Sequence, residues 1–226
     1  MDSPLEFLFF LCLIALLLVP LSRAQQPSAP PGSSSSAHAR KSAPVADSSL
    51  DVGSVSDGTY HNRAFGLSCK IPAGWVLRTD EMNEGDDGQS DQEVGKSGHV
   101  LLAAFSRPPA ARGEDVNSSI LIAAESTAEY PGLKEAAQYF GPVTEIAKSQ
   151  GFAVVEEPYE FAVGAKTLAR GDFQKDVGSR VMRQSTLVVL ARGYAVSFTF
   201  IGGTEDEVEN LIAGLSFAAG AKPHQR

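Results

Sequence analysis

The chain has 226 residues, a formal net charge of −8, 43% hydrophobic and 20% charged residues, and two cysteines. This is the mix of an ordinary globular protein, and it excludes collagenous, disulfide-rich, polytopic membrane and wholly disordered classes. The acidic balance argues against a non-specific nucleic-acid binder, which carries a clear basic excess, and the length allows one domain or at most two small ones.

The first 24 residues read as an export signal. Phe7 to Val19 is an unbroken apolar run. As a helix it would span roughly 20 Å, short of the roughly 30 Å of a bilayer's hydrocarbon core. Pro20 closes the run, and Ser22-Arg23-Ala24 offers small residues where a signal peptidase reads. Cleavage is expected after Ala24. The segment before the run departs from the usual pattern, with Asp2 and Glu6 and no Lys or Arg. The expected location is periplasmic or extracellular. The alternative is an envelope protein anchored by an uncleaved N-terminus. Cys12 lies in the apolar run, so cleavage leaves Cys69 as the one cysteine and no intramolecular disulfide.

From 25 to 58 the composition shifts, with ten serines, four prolines and five alanines between Gln25 and Asp57. No apolar periodicity is present. The stretch cannot bury enough surface to offset its chain entropy and reads as a disordered Ser/Pro/Ala-rich tether. A folded domain is expected over 59–217, followed by a flexible tail at 218–226.

Phe65, Leu67, Cys69 and Ile71 alternate with polar or small residues, the period of a half-buried strand. Pro72-Ala73-Gly74 turns the chain and delivers Trp75 and Val76. Residues 78–97 read as a long polar loop with seven acids between positions 80 and 93. Val100–Phe105 reads as a strand, and the continuous apolar run Ile120–Ala124 as a central strand covered on both faces. Leu133, Ala136, Ala137, Phe140, Val143, Ile146 and Ala147 follow helical spacing. Gly141-Pro142 is expected to kink that helix or split it in two. Phe152–Val155 and Tyr159–Val163, Lys166–Gln174, Arg180–Ala191 and Tyr194–Ile201 then form a meander of antiparallel strands. Thr204-Glu205-Asp206-Glu207 is a capping box for a last helix whose stripe is Val208, Leu211, Ile212 and Leu215.

The opening Tyr60-His61-Asn62, Phe65-Gly66-Leu67 and Ile71-Pro72-Ala73-Gly74-Trp75 is a recognisable pattern. So is the close, a strand Gly193-Tyr194-Ala195-Val196-Ser197-Phe198-Thr199-Phe200, then Thr204-Glu205-Asp206-Glu207 and a helix ending in Leu215-Ser216-Phe217. Together they resemble the PsbP-like superfamily, which includes an extrinsic photosystem II subunit, the Ran-binding Mog proteins and exported bacterial proteins. The resemblance runs from Thr59 to Phe217. It implies an α+β fold, an antiparallel sheet with helices packed on its faces in an α/β/α sandwich. It implies no catalytic residue, because known members act as accessory and binding proteins. The serine-rich tether and the acidic loop are departures from the group.

Candidate chemistry is sparse. Cys69 alternates with Leu67 and Ile71 on an apolar face, where a thiol is inert; His61 and His99 are the candidates for its base, and neither has a motif around it. Aligning Asn83 with the first position of a calcium loop puts Asp87 and Gly88 in place. The third position is then Gly85 and the twelfth Val94, with Glu93 one residue early. The loop reads as solvated charge, with a weak calcium site of another type as the alternative. His38, His61, His99 and His224 lack zinc-site spacing. Nucleophile-elbow, Walker and dinucleotide motifs are missing. Lys166, Arg170, Lys175, Arg180, Arg183 and Arg192 make the meander locally basic, read as a solvated face or, more sharply, as a docking surface for an anionic partner. Asn117-Ser118-Ser119 is a glycosylation sequon.

The expected function is that of an exported, non-enzymatic accessory or binding protein using loops to hold a protein or small ligand. No catalytic, cofactor or metal residue is assigned. The expected partners exclude nucleic acid and limit membrane contact to the signal segment; the chain is expected to be a monomer. The alternative is a hydrolase or other enzyme with a dispersed active site.

Overall fold

The protein is described from a computed structural model, which covers residues 50–84, 98–108, 111 and 115–218. The segments read as export signal and, before residue 50, as tether, the acidic stretch 85–97 and the residues after Ala218 lie outside the described residues. The strands are β1 (Ser54–Ser56), β2 (Thr59–Asn62), β3 (Leu67–Lys70), β4 (Val76–Leu77), β5 (His99–Phe105), β6 (Ser119–Ser126), β7 (Ala153–Val163), β8 (Lys166–Val177), β9 (Arg180–Ala191), β10 (Tyr194–Gly202) and β11 (Leu215–Phe217). The α-helices are α1 (Thr79–Glu84), α2 (Phe140–Ser149) and α3 (Glu205–Ile212).

Among the described residues the strands form two sheets. One has seven strands in the order β4-β5-β6-β10-β9-β8-β7; the other has four in the order β1-β2-β3-β11. Among the described residues these strand pairings are all antiparallel. β6 is interior and buried along nearly its whole length, as its continuous apolar run requires. The meander β7 to β10 forms as its turns dictate. Arg192 and Gly193 both take positive φ, 53° and 81°, the conformation of a tight hairpin turn.

The α+β reading holds, and the layering gains a detail. One face of the large sheet carries α2 and the short 3₁₀ turns before it. There Tyr139, Phe140, Ile146 and Ala147 pack on Ala169, Phe173, Val188 and Ala195. Gly171 is required beneath this layer, because a Cβ there would lie 2.6 Å from the Phe140 ring. The opposite face is covered by the small sheet together with α3. Leu102, Ile120, Ile122, Leu187, Phe198 and Phe200 pack there against Tyr60, Cys69, Val208, Leu211, Ile212 and Leu215. Each such buried side chain contributes about 1.5–3 kcal/mol of transfer free energy.

Three local expectations are corrected, and that for Gly141-Pro142 resolves to one of its two alternatives. The fold begins near Leu50 rather than Thr59: β1 lies inside the stretch read as tether and pairs with β2 through Ser54↔His61, Val55↔Tyr60 and Ser56↔Thr59. The serine-rich composition concealed it, because its one apolar residue, Val55, gives no period. The stretch 78–97 does not start as a loop: Thr79–Glu84 is helical and runs along the free edge of β5. Thr79 Oγ1 accepts from the Ala103 amide at 3.0 Å, and the Asn83 amide group exchanges bonds of 3.0 and 3.1 Å with Val100. These side chains stand where a strand partner would be, which blunts the edge. Gly141-Pro142 does not break α2, because proline falls in the first turn, where an amide donor is not needed. A 3₁₀ turn, Ala136–Tyr139, precedes it, so the outcome is two helices in succession. Pro158 does not divide β7 either; it sits on an edge strand, within the register shift between Glu156 and Tyr159.

Candidate functional site

The two sheets do not close on each other at the β1 end. Val55 shares a face with Tyr60, its register partner, and so points between the sheets. Tyr60 is 1% exposed, yet Val55 is 40% exposed. The difference marks a mouth, a cleft of about 360 Å³ bounded by the β1 segment, the β4–α1 junction and β5. Among the described residues, five large apolar side chains are exposed; three of them, Val52, Val55 and Leu77, line this cleft. Arg78, which pairs with Glu81, together with Asp80 and His99 supplies a polar rim.

The lip of the mouth is held rigidly. Tyr60 donates its hydroxyl to Val52 O at 2.9 Å, and Asn62 Nδ2 donates to Asp51 O at 2.6 Å. The Asp51 carboxylate accepts from the amides of Gly53 and Ala64 at 2.9 and 3.1 Å. Those amides hold its pKa below the usual carboxylate range. Burial pushes the Tyr60 phenol up to about 12, so it stays a donor. Gly53 has φ +73°, and a Cβ there would meet His61 O at 2.5 Å. No other residue lets the lip approach β2 so closely.

Two polar clusters lie inside the fold. On the inter-sheet face, Arg170 is 6% exposed. Its Nε donates to both Asp172 oxygens at 3.0 and 3.1 Å, and its Nη2 to Ser185 Oγ at 3.1 Å and to Glu209 of α3. The guanidinium lies 4.9 Å from the Phe161 ring centroid. Burial draws its pKa down, but Glu209 and Asp172 outweigh burial and hold it above its usual value. On the opposite face, Glu125 is 4% exposed and accepts hydroxyls from Tyr130 and, at 2.8 Å, from Tyr139. Both bonds go to Oε2. Oε1 is buried without a hydrogen-bond partner. Burial pushes the Glu125 pKa up against the downward pull of the two phenols.

The residues singled out from sequence are not brought together. Cys69 is fully buried between the sheets, and burial pushes its thiol up to about 12. Its nucleophilicity is thereby suppressed. His61 pairs with Ser68 on the other face of the small sheet, in a broad polar trough with the Ser68–Ser216 hydroxyl pair. His99 is at the mouth. The calcium-loop alignment falls mostly outside the described residues, and its first position, Asn83, is committed to β5. Among the described residues no group of three or more His, Cys, Asp or Glu side chains stands close enough to hold a metal ion.

The six basic residues of the meander do not share one face. Arg170 is internal, while Lys175 stacks 4.7 Å from the Phe152 ring centroid on the opposite side of the sheet. Arg180 pairs with Asp115 at 2.9 Å, and Arg183 donates to Gln174 at 3.2 Å. Asn117 accepts from Ser106 Oγ and the Arg107 amide at 3.0 and 3.2 Å and donates to Arg107 O at 3.1 Å. The sequon amide thus ties the two ends of the β5–β6 connection.

Sequence reasoning missed Val52 and Val55, because they lie in serine-rich surroundings. It also missed Glu125, although a carboxylate directly continuing the apolar run of β6 was a visible signal.

No family model matches the chain, and no curated protein matches it. Solved structures do. The cyanobacterial PsbP of Synechocystis is 16% identical over 71% of this chain and 91% of its own, with a TM-score of 0.43. The Ran-binding protein Mog1p of Saccharomyces cerevisiae is 13% identical over 67% of this chain and 90% of its own, with a TM-score of 0.38. LpqN, involved in cell envelope biogenesis of Mycobacterium tuberculosis, is 12% identical over 68% of this chain and 83% of its own, with a TM-score of 0.34. A PsbP and a Mog protein, the group the sequence resembles, are thus among the solved structures it matches.

Proposed function

We propose that this chain is an exported, non-enzymatic accessory protein that binds an apolar group of a protein or small-ligand partner at the open mouth between its sheets. The observation that carries the reading is the gathering of Val52, Val55 and Leu77, all exposed, around one concave site. Scattered exposed valines are ordinary, but apolar side chains concentrated at a cleft with a polar rim are the anatomy of a recognition site. The lip fixed by Tyr60, Asn62 and Asp51 makes the site preformed, which lowers the entropic cost of binding. Export rests on the apolar run Phe7–Val19 and the small residues at Ser22 and Ala24.

The test places a photo-crosslinking amino acid at Leu77 of the full chain in its source cell. A discrete crosslinked product is expected, and Val55→Asp should reduce it by about fivefold or more. Absence of a product, or a product indifferent to Val55→Asp in a variant with unchanged circular dichroism, overturns the proposal.

A further inference from the structure

On the face of the large sheet away from the mouth, a second and independent cleft opens beside the 3₁₀ segment. Its volume is about 400 Å³, and Glu129, Tyr130, Pro131, Leu133, Gln138 and Tyr139 line it. Half-buried Tyr130 forms its aromatic wall, and Tyr139, 2% exposed, backs it edge to face with centroids 5.4 Å apart. Glu129 is the one charged side chain in the lining. Behind the wall, both phenols donate to Glu125 Oε2. A phenol donating to a carboxylate carries a more electron-rich ring, which strengthens its attraction for a cation.

The one charged group in the lining is an acid, and Lys134 and Glu135, exposed on the same segment, lie outside it. The charged group acting on Glu125 is Glu129, which pushes the Glu125 pKa further up, and the other polar groups facing it are the two phenols. From β10, the neighbour in register is Ala195, which cannot supply a countercharge. Oε1 of this carboxylate is buried and without a hydrogen-bond partner. A buried acid so placed is costly to ionise unless a cation arrives. Elsewhere in the molecule the buried charge is compensated internally, as Arg170 is by Asp172 and Glu209.

We propose that this cleft binds a small organic cation, an alkylammonium group held against the Tyr130 ring by the negative field of Glu125 and Glu129. The ligand supplies the countercharge that the fold withholds. Binding then favours the ionised form of Glu125, so affinity rises with pH while the ligand stays charged.

Calorimetric titration of the full chain with tetramethylammonium tests this, with tert-butanol as the neutral probe of similar shape. Tetramethylammonium is expected to bind in the millimolar range and more tightly at pH 8 than at pH 5. Glu125→Gln keeps an oxygen acceptor for both phenols but removes the charge, and should weaken binding by about tenfold. Glu129→Gln, on the half-buried rim, removes the second negative charge, keeps both phenol bonds to Glu125 and should weaken binding by a smaller factor. No binding at either pH, equal binding of tert-butanol, or affinity unchanged in both variants overturns the proposal. Because the mouth lies elsewhere, Val55→Asp should leave this titration unaltered, which separates the two readings.

Discussion

Glu125 is buried with two phenols as its hydrogen-bond donors, and its ionisation therefore acts on the stability of the whole fold. Burial raises its folded pKa above the ordinary carboxyl value. A carboxyl with a raised folded pKa contributes stability that is fully present below its unfolded pKa. That stability is lost as pH climbs through the folded value. Glu125→Gln cannot ionise, and its amide oxygen still accepts from Tyr130 and Tyr139. The expected outcome is that the variant gains on the parent chain as pH rises from 5 to 8, measured by urea midpoints at both ends. Midpoints that move in parallel would show that Glu125 does not titrate in this range. Cys69 shows the opposite legibility. Its alternation with Leu67 and Ile71 placed it in the core before any coordinates, whereas nothing in the spacing of Glu125, Tyr130 and Tyr139 revealed that they meet. Contacts between a strand and a 3₁₀ turn have no sequence period.

Among the elements, α3 illustrates how far a local motif can be read. The Thr204 hydroxyl accepts from the Glu207 amide at 3.1 Å, as the capping box requires. The Glu207 carboxylate does not return to the amide of Thr204 itself. It accepts from the Gly203 amide at 2.9 Å and from the Ser118 hydroxyl, tying the helix start to the beginning of β6. The motif identified the helix; the tertiary partner lay 89 positions away and was invisible. Thr204→Ala should cost about 1 kcal/mol, and Thr204→Ser only a few tenths, read from chemical denaturation. An alanine variant as stable as the parent would mean that the Glu207 bonds hold the helix start without the cap. The same limit explains α1. Its acidic composition suggested a loop, and only the bare edge of β5 gave Thr79 and Asn83 a reason to be helical.

At the scale of the molecule, the mouth and the N-terminal boundary are one question. The lip exists because residues 50–56 belong to the fold. A chain beginning at Thr59 would lose β1 and leave the Tyr60 hydroxyl and the Asn62 amide without Val52 O and Asp51 O. Such a chain should be less stable than one beginning at Leu50 by at least about 2 kcal/mol, since each buried polar group left unpaired costs about 1–3 kcal/mol. Equal denaturation midpoints would return the boundary to 59. The antiparallel meander and the sheet-covering helices were legible because turns and periods are local. The second sheet was not, because β11 joins β3 from the far end of the domain. The strand order carries a kinetic consequence as well. The large sheet is two locally wired hairpin systems, β4-β5-β6 and β7 to β10, meeting at the single seam where β6 pairs with β10, Ser126 with Tyr194 through Ser119 with Ile201. Each half can zip from its own turns, but the seam closes only across the whole intervening chain. By loop-closure entropy, that seam and the still longer closure of β11 onto β3 are expected to form more slowly than the hairpins.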